Sequence, residues 1–294
     1  MLLSIWLRAG YLPAGVWGGH DDALFLKLAR NLGQGRWLGP YDQLTMAKGP
    51  FFPVFLLFGK ASGLPLKLVE HIFYVLFAMM AAVTTYRLTG RRWLSAAVTV
   101  ALLLSPVPWM FEGGSRITRE PLYQVMTFAI LLVSTRYFLL GDSKPSTGLA
   151  LGVLGGSYWL TREEGAWLLP ALAILVLPCM FRIGRSVVRK AWMTVTGDLR
   201  IIALPVVGFV VIVMAVNTIN LLVYGVFRNN DLRSGPFLEA YGSLARIKHD
   251  TFRRYGIFPK EARSLAYSVS PAARELEPYL DGRNGIQWAK ASQP

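Results

Sequence analysis

The 294-residue sequence contains a single cysteine, Cys179, and that cysteine lies inside an apolar stretch. One cysteine excludes an internal disulfide and a metal site built from thiolates. The three histidines, His20, His71 and His249, do not have the spacing of zinc ligands. The sequence also lacks a Walker phosphate-binding loop, a dinucleotide fingerprint, the HExxH motif and the serine elbow of hydrolases. The enzyme classes that these motifs define are therefore excluded.

Charged residues are scarce, at 16% of the sequence against about 25% in soluble domains. Hydrophobic residues make up 53%, and the mean hydropathy is +0.40. A soluble domain of this size cannot bury so much apolar surface, so we expect lipid to be part of the solvent. The formal net charge is +14, an excess that membrane proteins carry in cytoplasmic loops. No run of lysine and arginine is interleaved with aromatic residues, and we expect no nucleic-acid partner.

Apolar segments approach the roughly 20 residues that a membrane-spanning helix needs, and they recur along the chain. We therefore predict an all-α, polytopic integral membrane protein with about six or seven transmembrane helices. The predicted spans are residues 1–17, 67–87, 93–110, 120–140, 147–160, 166–181 and 201–224.

Two parts of the chain differ from these spans. The stretch 51–64 is too short to cross a membrane and contains Pro53 and Lys60, which indicates an interfacial or re-entrant helix. Residues 225–294 are polar and rich in charge, glycine and proline. We predict a transmembrane domain at 1–224 and an extramembrane tail at 225–294.

Basic clusters near helix ends predict the side of the membrane that each loop faces. The strongest clusters follow segments 67–87 and 166–181. Their members are Arg87, Arg91, Arg92, Arg182, Arg185, Arg189, Lys190 and Arg200. Positively charged loops face the cytoplasm. Alternation then predicts the opposite side for 18–50, 111–119, 161–165 and the tail, provided that the short segment 147–160 spans.

The first of these outer loops contains an acidic pair, Asp21 and Asp22, ahead of apolar residues at helical spacing from Leu24 to Leu32. The spacing predicts an amphipathic helix in the membrane interface. One aspartate at its start is explained by capping the helix. Two carboxylates exceed what a cap needs, so the pair is also a candidate general base or metal ligand.

Basic residues in the outer loops are the second group of candidates. Lys48, in Lys48-Gly49-Pro50, either extends to the interface or acts as a point charge for a phosphate. Arg116 and Arg119 are three residues apart at a predicted helix start, so they share one face. They serve either as anchors or as a clamp that grips phosphate oxygens.

Thr161-Arg162-Glu163-Glu164 has the pattern of a capping box ahead of an apolar run. That interpretation explains Thr161 and Glu164. It leaves Arg162 and Glu163 on the predicted outer side, with the other motifs. His20 is the only histidine beside a candidate residue, although a plain loop histidine explains it as well.

In this order, the motifs resemble the GT-C class of membrane glycosyltransferases. The most specific part runs from His20-Asp21-Asp22 through the amphipathic helix to Lys48-Gly49-Pro50, before a proline-containing apolar stretch and a later arginine-bearing loop. The resemblance extends over residues 15–170. The nearest branch is that of protein O-mannosyltransferases and aminoarabinose transferases, which use polyprenyl-phosphate sugars. Members of the class are commonly longer than 294 residues, so we expect a truncated member.

The resemblance implies roles for the candidates. Asp21, with Asp22 beside it, would be the catalytic carboxylate that deprotonates or positions the acceptor. Lys48 and Arg116, with Arg119, would hold the phosphate of the lipid donor. The cavity would be lined by Arg162 and Glu163.

The implied partners are a polyprenyl-phosphate-sugar donor and membrane lipid, with the acceptor not identified. A divalent metal is compatible with the motifs but is not required by them. The implied location is a bacterial inner membrane, with the active loops on the periplasmic side. Two alternatives stay open: a non-catalytic relative that binds lipid-linked glycan, and a transporter or flippase. The transporter is disfavoured because the sequence shows no inverted repeat and its polar motifs lie in loops.

Overall fold

A computed structural model describes residues 2–10, 21–106, 116–250, 258–283 and 285–287. These residues form helices and contain no β-strand. The helices are α1 (Leu2–Ala9), α2 (Asp21–Gly33), α3 (Phe51–Ala61), α4 (Leu66–Thr89), α5 (Arg92–Leu103), α6 (Glu120–Ser134) with a π-helical turn at Thr135–Leu139, α7 (Pro145–Trp159), a 3₁₀ turn at Gly165–Leu168 leading into α8 (Leu169–Val188), α9 (Trp192–Tyr224), α10 (Gly235–Ala245), α11 (Lys260–Val269), α12 (Pro271–Arg274) and α13 (Glu277–Leu280).

Four helical segments of the described chain are long and apolar enough to cross a membrane. They are Leu66–Thr89, Glu120–Leu139, Gly165–Val188 and Trp192–Tyr224. Each corresponds to a predicted span. The other three predicted spans correspond to the shorter helices α1, α5 and α7, of which α5 has 12 residues and α7 has 15. The all-α prediction is confirmed for the described residues, and these contain four candidate spans.

Much of the apolar surface of α8 and α9 is exposed. In each, only 11% of the most apolar stretch is buried inside the protein. Exposed apolar residues of α9 include Val206, Val207, Val210, Val211 and Met214. A soluble protein rarely exposes contiguous apolar patches of this kind, so these faces are compatible with contact with lipid.

The chain divides into two units, Met1–Asn230 and Asp231–Pro294. In the second unit, Asp281 accepts hydrogen bonds from Arg263 Nη2 at 2.6 Å and from Tyr267 Oη at 2.9 Å. The Arg263 hydrogen bond lowers the pKa of Asp281. These contacts join α11 to the residue that follows α13.

In the first unit, α4 and α5 run antiparallel. Ser95 Oγ donates to the Ala82 carbonyl at 2.8 Å, and Tyr74 Oη donates to the Leu102 carbonyl at 2.7 Å. The two bonds tie the end of α4 to the start of α5 and the middle of α4 to the end of α5.

The later helices continue this alternation. Tyr158 Oη near the end of α7 donates to Tyr123 Oη near the start of α6, at 2.7 Å. Arg182 near the end of α8 pairs with Asp198 near the start of α9, at 2.8 Å. Arg87 near the end of α4 also pairs with Asp142, just after α6, and Trp167, just before α8, donates to Tyr123 near the start of α6. Helices α4 to α9 therefore run alternately between two ends of the first unit.

Helices α7 and α9 run parallel, and glycines allow their backbones to approach. Gly148, Gly152 and Gly156 recur at four-residue spacing along one face of α7. A Cβ atom on Gly152 would lie 2.2 Å from the Pro205 carbonyl oxygen and 2.8 Å from the Gly208 Cα atom. Small residues at this spacing are typical of close helix pairs in membranes.

Helices α2 and α3 cover one end of this bundle. As the spacing of its apolar residues predicts, α2 begins at the acidic pair and buries Leu24, Phe25 and Leu28. Phe25 packs edge-on against Phe52 of α3, with ring centroids 4.9 Å apart. The segment between α2 and α3 is thereby held over the helix ends.

Candidate functional site where four polar segments meet

Four polar segments, distant in sequence, meet at the end of the bundle under α2. They are 21–50, 116–120, 161–164 and 220–230. Trp37 Nε1 donates to Asn220 Oδ1 at 2.7 Å, and Tyr224 Oη donates to the Gly39 carbonyl at 2.8 Å. The three loops that alternation predicts on one side therefore contribute described residues to the same end.

Asp22 is the central buried carboxylate of this end, with no exposed surface. Its Oδ1 accepts a hydrogen bond from Arg116 Nη2 at 2.6 Å, and its Oδ2 accepts one from the Ile117 N–H at 2.9 Å. The hydrogen bond to Asp22 raises the pKa of Arg116. The pair ties the start of α2 to the segment before α6, while the Arg116 side chain remains 46% exposed.

Asp21, the neighbouring carboxylate, is open to solvent. Its Oδ2 lies 3.2 Å from Lys48 Nζ, and the two side chains are 46% and 21% exposed. The longer distance and the exposure make this pair weaker than the Asp22–Arg116 pair. Asp21 is therefore the aspartate that a molecule from solution reaches.

Lys48 is positioned by the backbone that follows it. The Phe51 N–H donates to the Leu160 carbonyl at 3.3 Å. A Cβ atom on Gly49 would lie 1.9 Å from that same carbonyl oxygen, so only glycine fits there. Lys48-Gly49-Pro50 is thus packed against the turn that ends α7.

Arg119 and Glu163 form a second, more enclosed ion pair. Arg119 Nη2 lies 2.8 Å from Glu163 Oε2, and Arg119 Nη1 donates to the Thr161 carbonyl at 2.9 Å. The Arg119 guanidinium also lies over the Phe25 ring, 5.8 Å from its centroid. The pair joins the start of α6 to the turn after α7, beneath α2.

Arg162 lies at the edge of this arrangement. It pairs with Glu120 at 3.4 Å and with Glu164 at 3.1 Å. Its guanidinium lies 5.3 Å from the centroid of the Tyr123 ring.

The predicted capping box at Thr161 and Glu164 is wrong. Thr161 is buried, and its Oγ1 donates to the Ser157 carbonyl at 2.8 Å, one turn back in α7. The 3₁₀ turn at Gly165–Leu168 has no side-chain cap. Thr161 therefore bonds back to α7 and does not cap the next helix. This is possible because a threonine hydroxyl can donate to a backbone carbonyl as well as accept from a backbone N–H.

Asn230 completes the site, and sequence reasoning missed it. Its Nδ2 donates to the Ala47 carbonyl at 3.1 Å and to Glu163 Oε1 at 3.3 Å. The residue stands in the polar stretch after α9, which the sequence predicts to be part of the tail, and no local motif distinguishes it there. Its role depends on contacts across 183 and 67 residues of sequence.

An apolar groove of about 600 Å³ begins beside this site, between α2 and α3. Ile117, whose N–H bonds Asp22, lies in its lining. The lining also includes Leu26, Arg30, Gln34, Leu57 and Lys60.

Within the described ranges, no group of three or more His, Cys, Asp and Glu side chains is placed to hold a metal ion. The candidate His20 lies outside the described residues. The carboxylates of Asp21 and Asp22 are each paired with a cation. The arrangement supplies a base and several cations, which suits proton transfer and the binding of an anion.

All seven candidate residues from the sequence lie at this end of the first unit. Four ion-pair groups hold them: Asp21 with Lys48, Asp22 with Arg116, Glu163 with Arg119, and Arg162 with Glu120 and Glu164. We call these seven residues and Asn230 the polar cluster. Comparison of the sequence with family models, and of the chain with curated proteins and with solved structures, finds no match.

Proposed function

We propose that this chain transfers a sugar from a polyprenyl-phosphate donor to an acceptor at the membrane surface, as the GT-C class that its sequence resembles does. The observation that carries the proposal is the Asp21–Lys48 pair, with Asp21 46% exposed, next to Arg116 at one end of a bundle with apolar outer faces. The carboxylate can take the proton of a hydroxyl or amine acceptor, and the two cations can hold the phosphate of the donor.

The chemistry begins with the donor phosphate. A phosphate that binds Lys48 competes with Asp21 for the ammonium group, so donor binding frees the carboxylate. Asp21 then takes the proton from the acceptor hydroxyl or amine as that group attacks the anomeric carbon. General base assistance of this kind accelerates reactions by roughly 10²–10⁴-fold.

The bond from the anomeric carbon to the phosphate oxygen breaks in the same step, and its electron pair stays on the polyprenyl phosphate. Lys48 and Arg116 stabilise the negative charge that grows there. Fixed cations at the position where charge develops supply the largest contribution in many such sites. Arg116 has five N–H donors, so its bond to Asp22 leaves others for phosphate oxygens.

We assign positioning roles to the remaining members. Asp22 is buried and bonded at both oxygens, so it orients Arg116 and does not reach the acceptor. The Glu163–Arg119 ion pair stabilises the buried part of the site. Asn230 bonds both Glu163 and the carbonyl of Ala47, the residue before Lys48. Arg162 lines the edge.

The proposal includes six or seven membrane crossings, with the polar cluster on the periplasmic side of a bacterial inner membrane. Helices α4 to α9 run alternately between the two ends. Basic residues from the predicted cytoplasmic clusters, such as Arg91 and Lys190, lie in the turns at the other end. Positive residues favour the cytoplasmic side. The side of each end is measured with single cysteines placed at Gln43 and at Lys190 and labelled from each side of the membrane. Labelling of both from the same side contradicts the proposal.

The test is transfer from a polyprenyl-phosphate sugar by the chain in proteoliposomes. We expect Asp21→Asn to slow transfer by roughly 10²-fold or more, the loss of a general base. We expect Lys48→Ala to impair it as well, because the leaving phosphate loses a cation.

The matched control is Asp42→Asn. Asp42 also pairs with a lysine of the same segment, Lys27, at 2.7 Å, but it is not part of the polar cluster. Transfer by this variant should stay near that of the wild type. Undiminished transfer by both site variants, or an equal loss in the control, contradicts the mechanism.

A non-catalytic chain that binds lipid-linked glycan is the second candidate. The observation that favours it is that Asp21 and Asp22 are both neutralised by a cation before any ligand binds. Donor binding without transfer by the wild-type chain would identify this function. Loss of that binding in Lys48→Ala would place it at the same site.

A further inference from the structure

The groove between α2 and α3 has a chemical character of its own. Its wall is formed by aliphatic side chains such as Leu26, Leu56 and Leu57, and its volume is about 600 Å³. Two cations, Arg30 and Lys60, also line it, and of the described residues in its lining none is acidic. An apolar wall that meets only positive charge is complementary to an anionic amphiphile.

Those two cations differ from the basic residues of the polar cluster in their partners among the described residues. In the part of the chain that the structure describes, neither Arg30 nor Lys60 forms an ion pair, whereas Lys48, Arg116, Arg119 and Arg162 all do. Both side chains belong to exposed residues at the ends of their helices. Gln34 adds an amide donor beside them.

The groove is distinct from the polar cluster. Arg30 follows Asp22 by eight residues in α2, a rise of about 12 Å along the helix. Arg30 therefore lies about two turns of α2 away from the aspartate that bonds Arg116. Ile117 lies between the two places, since it lines the groove and its N–H donates to Asp22.

We propose that this groove binds an anionic phospholipid of the surrounding membrane, with the phosphate between Arg30 and Lys60 and an acyl chain along the apolar wall. The bound lipid holds α2 against α3 and so supports the Asp22–Arg116 pair. This binding is independent of sugar transfer, and it holds equally for a non-catalytic chain.

The experiment measures binding of phosphatidylglycerol to the purified chain by native mass spectrometry, with phosphatidylcholine as the neutral comparison. We expect phosphatidylglycerol to bind in preference. In the double variant Arg30→Gln/Lys60→Gln the affinity for phosphatidylglycerol should fall about 30-fold, because each cation contributes roughly 1 kcal/mol.

The matched control is Arg36→Gln/Lys144→Gln. It removes the same charge from two exposed residues that do not line the groove. Its affinity for phosphatidylglycerol should stay within a few-fold of the wild type. An equal loss in both double variants, or equal binding of the two lipids by the wild type, overturns the proposal.

A second variant tests the apolar wall without changing charge. A Cβ atom on Gly33 would lie 3.3 Å from Leu57 Cδ1 in the groove, so Gly33→Leu fills the space that an acyl chain needs. We expect this variant to lose phosphatidylglycerol, and its melting temperature in detergent reports whether the fold is kept. Retained binding contradicts the proposal.

Competition identifies the occupant. Polyprenyl phosphate should not displace phosphatidylglycerol from the wild-type chain. If it does, and if its own binding depends on Arg30 and Lys60, the groove belongs to a lipid-phosphate carrier and the phospholipid proposal fails.

Discussion

Replacement of Asp22 by asparagine distinguishes the contribution of Asp22 to stability from that of the neighbouring Asp21 in α2. The substitution keeps the shape of the side chain and removes its charge. In the wild type the buried carboxylate accepts bonds from Arg116 at 2.6 Å and from the Ile117 N–H at 2.9 Å. An amide keeps only one acceptor oxygen, so its NH₂ group must face one of these two donors.

The size of the effect follows from burial. A hydrogen bond to a charged group contributes about 1.5–3 kcal/mol. Breaking a fully buried ion pair costs about 3–5 kcal/mol. Arg116 is half exposed, so water satisfies its freed N–H groups and the cost is smaller. We expect Asp22→Asn to lower the free energy of unfolding by about 2–3 kcal/mol.

Asp21→Asn is the matched control, since it makes the same change one residue earlier. Asp21 is 46% exposed and pairs at 3.2 Å, so its loss should cost at most about 1 kcal/mol. The measurement is unfolding in mixed micelles with increasing dodecyl sulfate, followed by circular dichroism. A loss below about 1 kcal/mol for Asp22→Asn, or equal losses for the two variants, refutes the argument from burial.

Two further predictions concern the helix contacts and the loop after α2. Gly152→Ala should destabilise the protein by about 1–3 kcal/mol, because its Cβ would lie 2.2 Å from the Pro205 carbonyl oxygen, while Gly155→Ala, with its nearest atom at 3.7 Å, should cost little in the same assay. The Lys27 hydrogen bond, followed by the Leu44 N–H, lowers the pKa of Asp42 to about 2. The contribution of Asp42 to stability is therefore present above pH 4 and lost as the pH falls toward 2. Above pH 4, Asp42→Asn should unfold with a free energy about 1 kcal/mol lower than the wild type, after solvent screening. This difference should disappear as the pH falls from 4 to 2.

The sequence by itself determined the helical class, the four long apolar helices and the start of α2. These features follow from local patterns: runs of apolar residues for the long helices, and helical spacing after Asp21 and Asp22 for α2. It also singled out Lys48, Arg116, Arg119, Arg162 and Glu163 as candidates, because charged residues between apolar segments are few and therefore stand out.

Only the tertiary structure decided which of the two adjacent aspartates is buried. The two residues are adjacent in sequence, and the difference arises because Arg116, 94 residues away, bonds Asp22 and leaves Asp21 to Lys48. The tertiary structure likewise decided the contacts of Asn230, the bond of Thr161 to the backbone of α7 and the packing of Gly152 against α9. Each depends on where a distant segment lies in the folded protein, and no local pattern of side chains encodes that position.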